Sequence, residues 1–148
     1  MVNTSTFLSD TVKFIRNGLS SNITDPISST RGSVSRFIAT SYPQRDVQYP
    51  MITIKGIVEK TIPLGMRSQQ LQIFLRLEIR VWARNVVEKD KLSEQIIDYL
   101  RSHQLGTSST TDTGLFGFDV TSMNVIDENG EGAPKSKIIT IKYSFLCE

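Results

Sequence analysis

The sequence predicts an α+β domain, with a mainly antiparallel sheet of about five strands and two helices packed on one face. Three observations lead there. Residues 71–84 read LQIFLRLEIRVWAR, in which Leu71, Ile73, Leu75, Leu77, Ile79 and Val81 fall on every second position without a break. Directly after Trp82 the apolar period changes from 2 to 3.6. The remaining β-rich runs, at 51–60, 116–126 and 137–146, are mostly joined by short connections, which favour antiparallel neighbours.

The elements follow in the order α-β-β-β-α-β-β. Phe7, Leu8, Val12, Phe14, Ile15 and Leu19 have near-helical spacing, so a first helix is expected at about 6–18. Ser5 or Thr6 could cap its start, and Gly18 could mark its end. Residues 20–35 are rich in Ser and Thr and read as a mobile loop. A short strand is expected at Arg36–Ser41 and a longer one at Met51–Lys60, where Gly56 suggests a bulge or a bend. Pro63-Leu64-Gly65 has turn chemistry and joins this run to the long strand.

Asn85 and Glu88 form an Asn-x-x-Glu helix start resembling a capping box. Leu92, Ile96, Tyr99, Leu100 and His103 then mark one face of an amphipathic helix at about 86–103. Residues 104–114 read as a flexible loop. Asn129-Gly130 signals a hairpin between the last two strands, with 131–136 enlarging the turn. No internal repeat and no second domain is visible, so residues 1–148 are expected to form one domain.

Composition narrows the function classes. The chain has 148 residues, 39% hydrophobic and 22% charged, which suits a globular domain rather than a disordered one. A net charge of +2 is too small to argue for nucleic acid or membrane by itself. The single cysteine, Cys147, cannot form an intrachain disulfide. No run approaches the roughly 20 apolar residues of a membrane span, so no membrane partner is expected.

The search for catalytic chemistry finds little. His103 is the only histidine, and a helix-end position favours its charged form. Neither it nor Cys147 has a sequence partner suited to nucleophilic or metal chemistry. The phosphate-loop, dinucleotide-binding and nucleophile-elbow patterns are missing. The acidic run 127–131 lacks the spacing of a calcium loop and reads as a solvated turn. Catalytic residues, metals and cofactors are therefore not expected.

Two features point instead toward partners. Ile62, Leu64, Met66 and Arg67 place apolar side chains in a connection expected to be exposed, which either marks a partner site or folds back on the sheet edge. Arg31, Arg36, Arg45, Lys55, Lys60, Arg67, Arg76 and Arg80 crowd the N-terminal half and first strands. Such a field can steer an acidic partner or passing DNA, although a normal solvated surface is the plainer reading. On the long strand, Phe74, Arg76, Glu78, Arg80 and Trp82 occupy the face that no helix is left to cover.

The sequence SRFIATSYPQRDVQYPMITIKG, then a long strand ending in Trp82, then KLSEQIIDYL and two late strands, resembles the tail terminator and tail-completion (tail-to-head joining) proteins of long-tailed phages and related viruses. In that family a Tyr-Pro step like Tyr49-Pro50 leads into a strand like Met51–Ile54, and a strand like Leu75–Trp82 runs into a helix like Lys91–Leu100. The resemblance spans about residues 6–146. It implies a virion protein assembled in the host cytoplasm: a homo-oligomeric ring, usually a hexamer, at the end of the tail tube. Such a ring stops tube growth and contacts the tail tube protein and the head-tail connector or adaptor. DNA passes through its lumen without sequence-specific binding. On this reading Ile62, Leu64, Met66 and Arg67 form a partner-binding loop. Phe74, Arg76, Glu78, Arg80 and Trp82 then lie at a subunit interface or in the lumen. A head-completion or neck protein, and a small nucleic-acid-binding accessory protein, are the competing expectations.

Overall fold

Residues 6–32, 36–42, 47–66, 70–102, 115–127 and 135–147 are described by a computed structural model, the side chains of Phe7, Ser102, residues 115–118, Asp127 and residues 145–147 apart. The period-2 run becomes β3, Leu71–Ala83, the centre of a five-stranded sheet. Its neighbours are β2, Met51–Pro63, and β5, Lys135–Cys147. Beyond β5 lies β4, Leu115–Asp127, and beyond β2 lies β1, Ile38–Ala39. The β2–β3, β3–β5 and β4–β5 pairs are antiparallel, and β1–β2 is parallel. Both helices, α1 (Phe7–Asn22) and α2 (Val86–Ser102), pack on one face, as the sequence predicts.

The core lies between them. Leu75, Leu77, Ile79 and Val81 are fully buried against Ile15 and Leu19 of α1 and Leu92, Ile96 and Leu100 of α2. Ile52 and Ile54 of β2 and Ile139 and Ile141 of β5 extend the same layer through direct register with β3. Each such burial contributes about 1.5–3 kcal/mol, as an upper estimate.

Several boundaries and the place of a bulge differ from the sequence reading. α1 runs past Gly18 to Asn22, whose side-chain amide donates to the Gly18 carbonyl at 2.7 Å. Glycine is needed at 18 for a different reason: a Cβ there would overlap the hydroxyl of Tyr99 on α2. The glycine therefore permits close helix–helix approach. β2 runs on to Pro63, which places Ile62 within a strand and not in the connection. Its irregularity falls between Val58 and Lys60, not at Gly56. Gly56 stays in register with Leu77, and a Cβ on it would meet Leu77 at 2.7 Å and Val12 of α1 at 2.9 Å. The glycine thus lets α1 lie close on the sheet.

The start of α2 is capped as the Asn-x-x-Glu pattern suggests. The Glu88 amide donates to Asn85 Oδ1 at 2.8 Å. The return bond is displaced by one residue, from the Arg84 amide to Glu88 Oε1 at 3.2 Å. The Arg84 guanidinium also clamps this carboxylate. Burial pushes the Glu88 carboxyl up, but the bonds and charge from Arg84 outweigh it and hold it below its ordinary value.

Residues 20–35 are only in part the loop expected. Residues 20–22 complete α1, and 26–30 form turns. The Arg31 guanidinium binds both oxygens of Asp25, at 2.5 and 2.9 Å, and the carbonyls of Gln48 and Pro50. Burial raises the Asp25 carboxyl, while Arg31 and the Ile27 amide lower it further, so it titrates below its ordinary value. This cluster ties the turn to the cis Tyr49-Pro50 step that opens β2. His103, residues 104–114, Arg67 and the turn at 128–134 lie outside the described residues.

Candidate functional site: the open face of the sheet

The face opposite the helices is built by the register. On β3 it carries Gln72, Phe74, Arg76, Glu78, Arg80 and Trp82, all half-buried. β2 adds Thr53, Lys55 and Ile57, and beyond its irregularity Lys60 and Ile62. β5 adds Ser136, Ile138, Thr140, Lys142 and Ser144, and β4 adds Asp119, Ser122, Asn124 and Ile126. Among the described residues, no helix packs here.

Cations dominate this face. Lys55, Lys60, Arg76, Arg80 and Lys142 stand against Glu59, Glu78 and Asp119. Glu59, in the irregular segment, reaches over the sheet to Lys142 at 3.1 Å. With both partners more than a third or close to a third exposed, that pair is worth about 0–1 kcal/mol. The Nε atoms of Arg76 and Arg80 are buried and have no hydrogen-bond partner. Arg80 donates through Nη2 to Ser136 Oγ at 3.1 Å, and its guanidinium lies 3.6 Å from the Trp82 ring centre.

The sequence reading left Trp82 without a partner in its own chain. The structure corrects this. Tyr42, in the segment after β1, packs on Trp82 with ring centres 5.0 Å apart. The Tyr42 and Tyr49 hydroxyls lie 2.7 Å apart, which links this cover to the start of β2. Beside it runs a shallow groove of about 260 Å³, lined by Thr40, Ser41, Tyr42, Thr53, Lys55, Glu78, Arg80, Trp82 and Ile138. Among the described residues, the open face is therefore covered at the Trp82 end, and no helix or strand lies over it from Arg76 toward Phe74.

The predicted loop residues separate. Ile62 lies on the open face opposite Gln72, half-buried. The Leu64 amide closes the hairpin on the Gln70 carbonyl at 3.0 Å, and its side chain is exposed. Met66 is 98% exposed, so it contributes nothing to this chain's own packing. Leu64 and Met66 form the tip, and Ile62 belongs to the sheet. Lys55 and Lys60 figured in the basic list but not as face residues. The alternation Ser136, Ile138, Thr140, Lys142 was readable at period 2, yet it identifies a face only once β5 is placed beside β3. Tyr42 carries no sequence signal.

Elsewhere, burial raises the phenol pKa values of Tyr99 and Tyr143, the latter also through proximity to Tyr99. Both lie in the core, away from the open face. Among the described residues, no group of three or more His, Cys, Asp or Glu side chains is placed to hold a metal ion. No helix among the described residues is long and apolar enough to cross a membrane. No protein-family model matches the chain, and no curated protein matches its sequence.

Proposed function

We propose that this chain is a structural virion protein: one protomer of a ring, hexameric on the family resemblance, at the end of a viral tail tube. The ring terminates the tail and joins it to the head connector. The observation that carries this reading is the open sheet face, with cations on three adjacent strands and no helix over them. Turned toward a lumen, Lys55, Lys60, Arg76 and Arg80 offset the charge of passing phosphates. Their spread over two adjacent strands gives no base-reading geometry, which suits DNA that must slide. The exposed tip at Leu64 and Met66 supplies an apolar contact for the tail tube protein or the connector.

Mass measurement in solution and electron-microscopy localisation in the intact particle test this reading. A chain that stays monomeric at high concentration and with its partner virion proteins present refutes the ring. A position at the head vertex would instead make it a head-completion or neck protein.

The same cationic face favours one competing reading, a small nucleic-acid-binding accessory protein. A DNA titration at two salt concentrations separates them. An accessory protein using several phosphate contacts weakens steeply with salt, with a log–log slope of about −0.9 per contact. A monomer of the ring protein binds free DNA feebly at both concentrations.

A further inference from the structure

We infer that copies of this chain join edge to edge, β2 of one protomer against β4 of the next, so that the sheet continues from subunit to subunit. This deepens the ring reading and rests on it.

The two ends of the sheet are both open, and they are different strands. β1 pairs with β2 only at Ile52 and Thr53. Among the described residues, nothing pairs with the outer edge of β2 from Ile54 onward, and no strand lies beyond β4. The regular stretches are similar in length, five residues on β2 and six on β4. β2 keeps its register from Ile54 to Val58 before its irregularity, and β4 from Ser122 to Asp127 after its own. Edges are normally blunted by bulges and charge, and these two stretches have no bulge.

Three exposed apolar residues on the helix side lie on those same stretches. Val58 is 40% exposed, and Met123 and Val125 are 41% and 53% exposed. Val58 shares the helix side of the sheet through its register with Leu75, and Met123 and Val125 share it through Ile139 and Lys137. Among the described residues, no helix of the same chain packs on β4 to any extent comparable with β2 or β3. α1, by contrast, lies over the β2 edge, with Leu8 and Val12 half-buried above Gly56. A second copy brought edge to edge would give Met123 and Val125 the helical cover that β4 lacks.

Strand direction agrees. β2 runs opposite to β3, β3 to β5 and β5 to β4, so β2 and β4 run in opposite senses. Rotation about an axis along the strands keeps those senses, and the new pair is antiparallel like the rest. Since the two surfaces differ, the contact is heterologous and repeats until it closes.

The test uses two edge-blocked variants of the full chain, Val58→Lys and the pair Met123→Lys/Val125→Lys, with mass read by sedimentation. The wild type is expected as a closed oligomer and each variant alone as a monomer. An equimolar mixture holds one intact β2 edge and one intact β4 edge, so it should give a particle of twice the monomer mass and stop. Circular dichroism and thermal transitions check folding, and Val58→Ser with Met123→Ser/Val125→Ser replace any variant that does not fold. A mixture that stays monomeric overturns the inference. So does a variant that keeps the wild-type mass, although the ring reading then stands. A dimer lost with the β4 variant but kept with Val58→Lys shows two-fold β4–β4 pairing and also overturns it. A wild type that is monomeric with its virion partners present defeats the ring reading itself.

Discussion

Replacing Arg31 by alanine is expected to destabilise the fold by about 2–4 kcal/mol, although Arg31 lies in a stretch that looks like a loop. Among the described residues its guanidinium makes donations to both oxygens of Asp25, to the Gln48 carbonyl and to the Pro50 carbonyl. It also sits 5.4 Å from the Phe37 ring centre. Removing one partner of a buried ion pair costs about 3–5 kcal/mol. The Asp25 side chain is 15% exposed against 6% for Arg31, so the orphaned carboxylate recovers some water and the lower figure applies. For a domain of this size that loss lowers Tm by roughly 4–16 °C. The pH dependence has a definite sign. The folded carboxyl of Asp25 is depressed, so its stabilisation is present above the unfolded aspartate value of about 3.9. It is lost as pH falls through the lower folded value, and the gap between wild type and variant should narrow there. Thermal and urea unfolding, in a cycle with Asp25→Ala, provide the measurement, with a coupling of about 0.5–3 kcal/mol expected. A variant within about 0.5 kcal/mol of wild type would show that this cluster does not hold the turn to β2.

Gly18→Ala should lower stability by about 1–3 kcal/mol, since the overlap with Tyr99 outweighs the gain of about 1 kcal/mol in helix propensity; a rise in Tm would refute the close approach of the helices. Asn85→Ala should cost about 1 kcal/mol at neutral pH by removing the cap on the Glu88 amide, read by urea unfolding. Trp82 is the sole tryptophan, so Tyr42→Ala should shift its emission to longer wavelength as the ring gains water; unchanged emission would mean that Tyr42 does not shield it in solution. Neighbours on β3 should behave oppositely: Leu77→Ala costs about 2–5 kcal/mol, while Arg76→Gln, which removes a buried unpartnered Nε, causes no loss of stability. Equal losses in the two variants would contradict the assignment of faces.

Local patterns reached most of the architecture because they depend on neighbours in sequence. The alternation in β3 and the 3.6 period of α2 are imposed by one buried side, and Asn85 caps an amide three residues away. What escaped the sequence depends on contacts between distant segments. Gly18 is a common helix terminator by type, and only the position of Tyr99 explains why it sits inside α1. Gly56 reads as a bend, but its cause is Leu8 and Val12 above it. Arg31 reaches carbonyls 17 and 19 residues onward, beyond the range of any periodicity. The candidate face was half legible. Its β3 residues follow from the alternation, whereas Lys55, Lys60 and Lys142 join them only through register.

The length of β3 has two causes, and they lie on its two sides. On the helix side, Ile73 to Val81 are buried, so that alternation is accounted for by the core of this one chain. On the other side the accounting does not close. Guanidinium groups are costly to hold half-buried without partners, yet Arg76 and Arg80 each keep an unpartnered buried Nε. The chain has carboxylates in reach of this face and spends Glu59 on Lys142. A strand selected for stability alone would carry Thr or Val at these positions, since both suit a pleated surface without desolvating charge. Retained cations on a sheet face that no described helix covers make sense when the counter-charge comes from outside the chain. In the proposed ring that charge is the phosphate of the passing DNA, and the edges that close the ring leave this face bare.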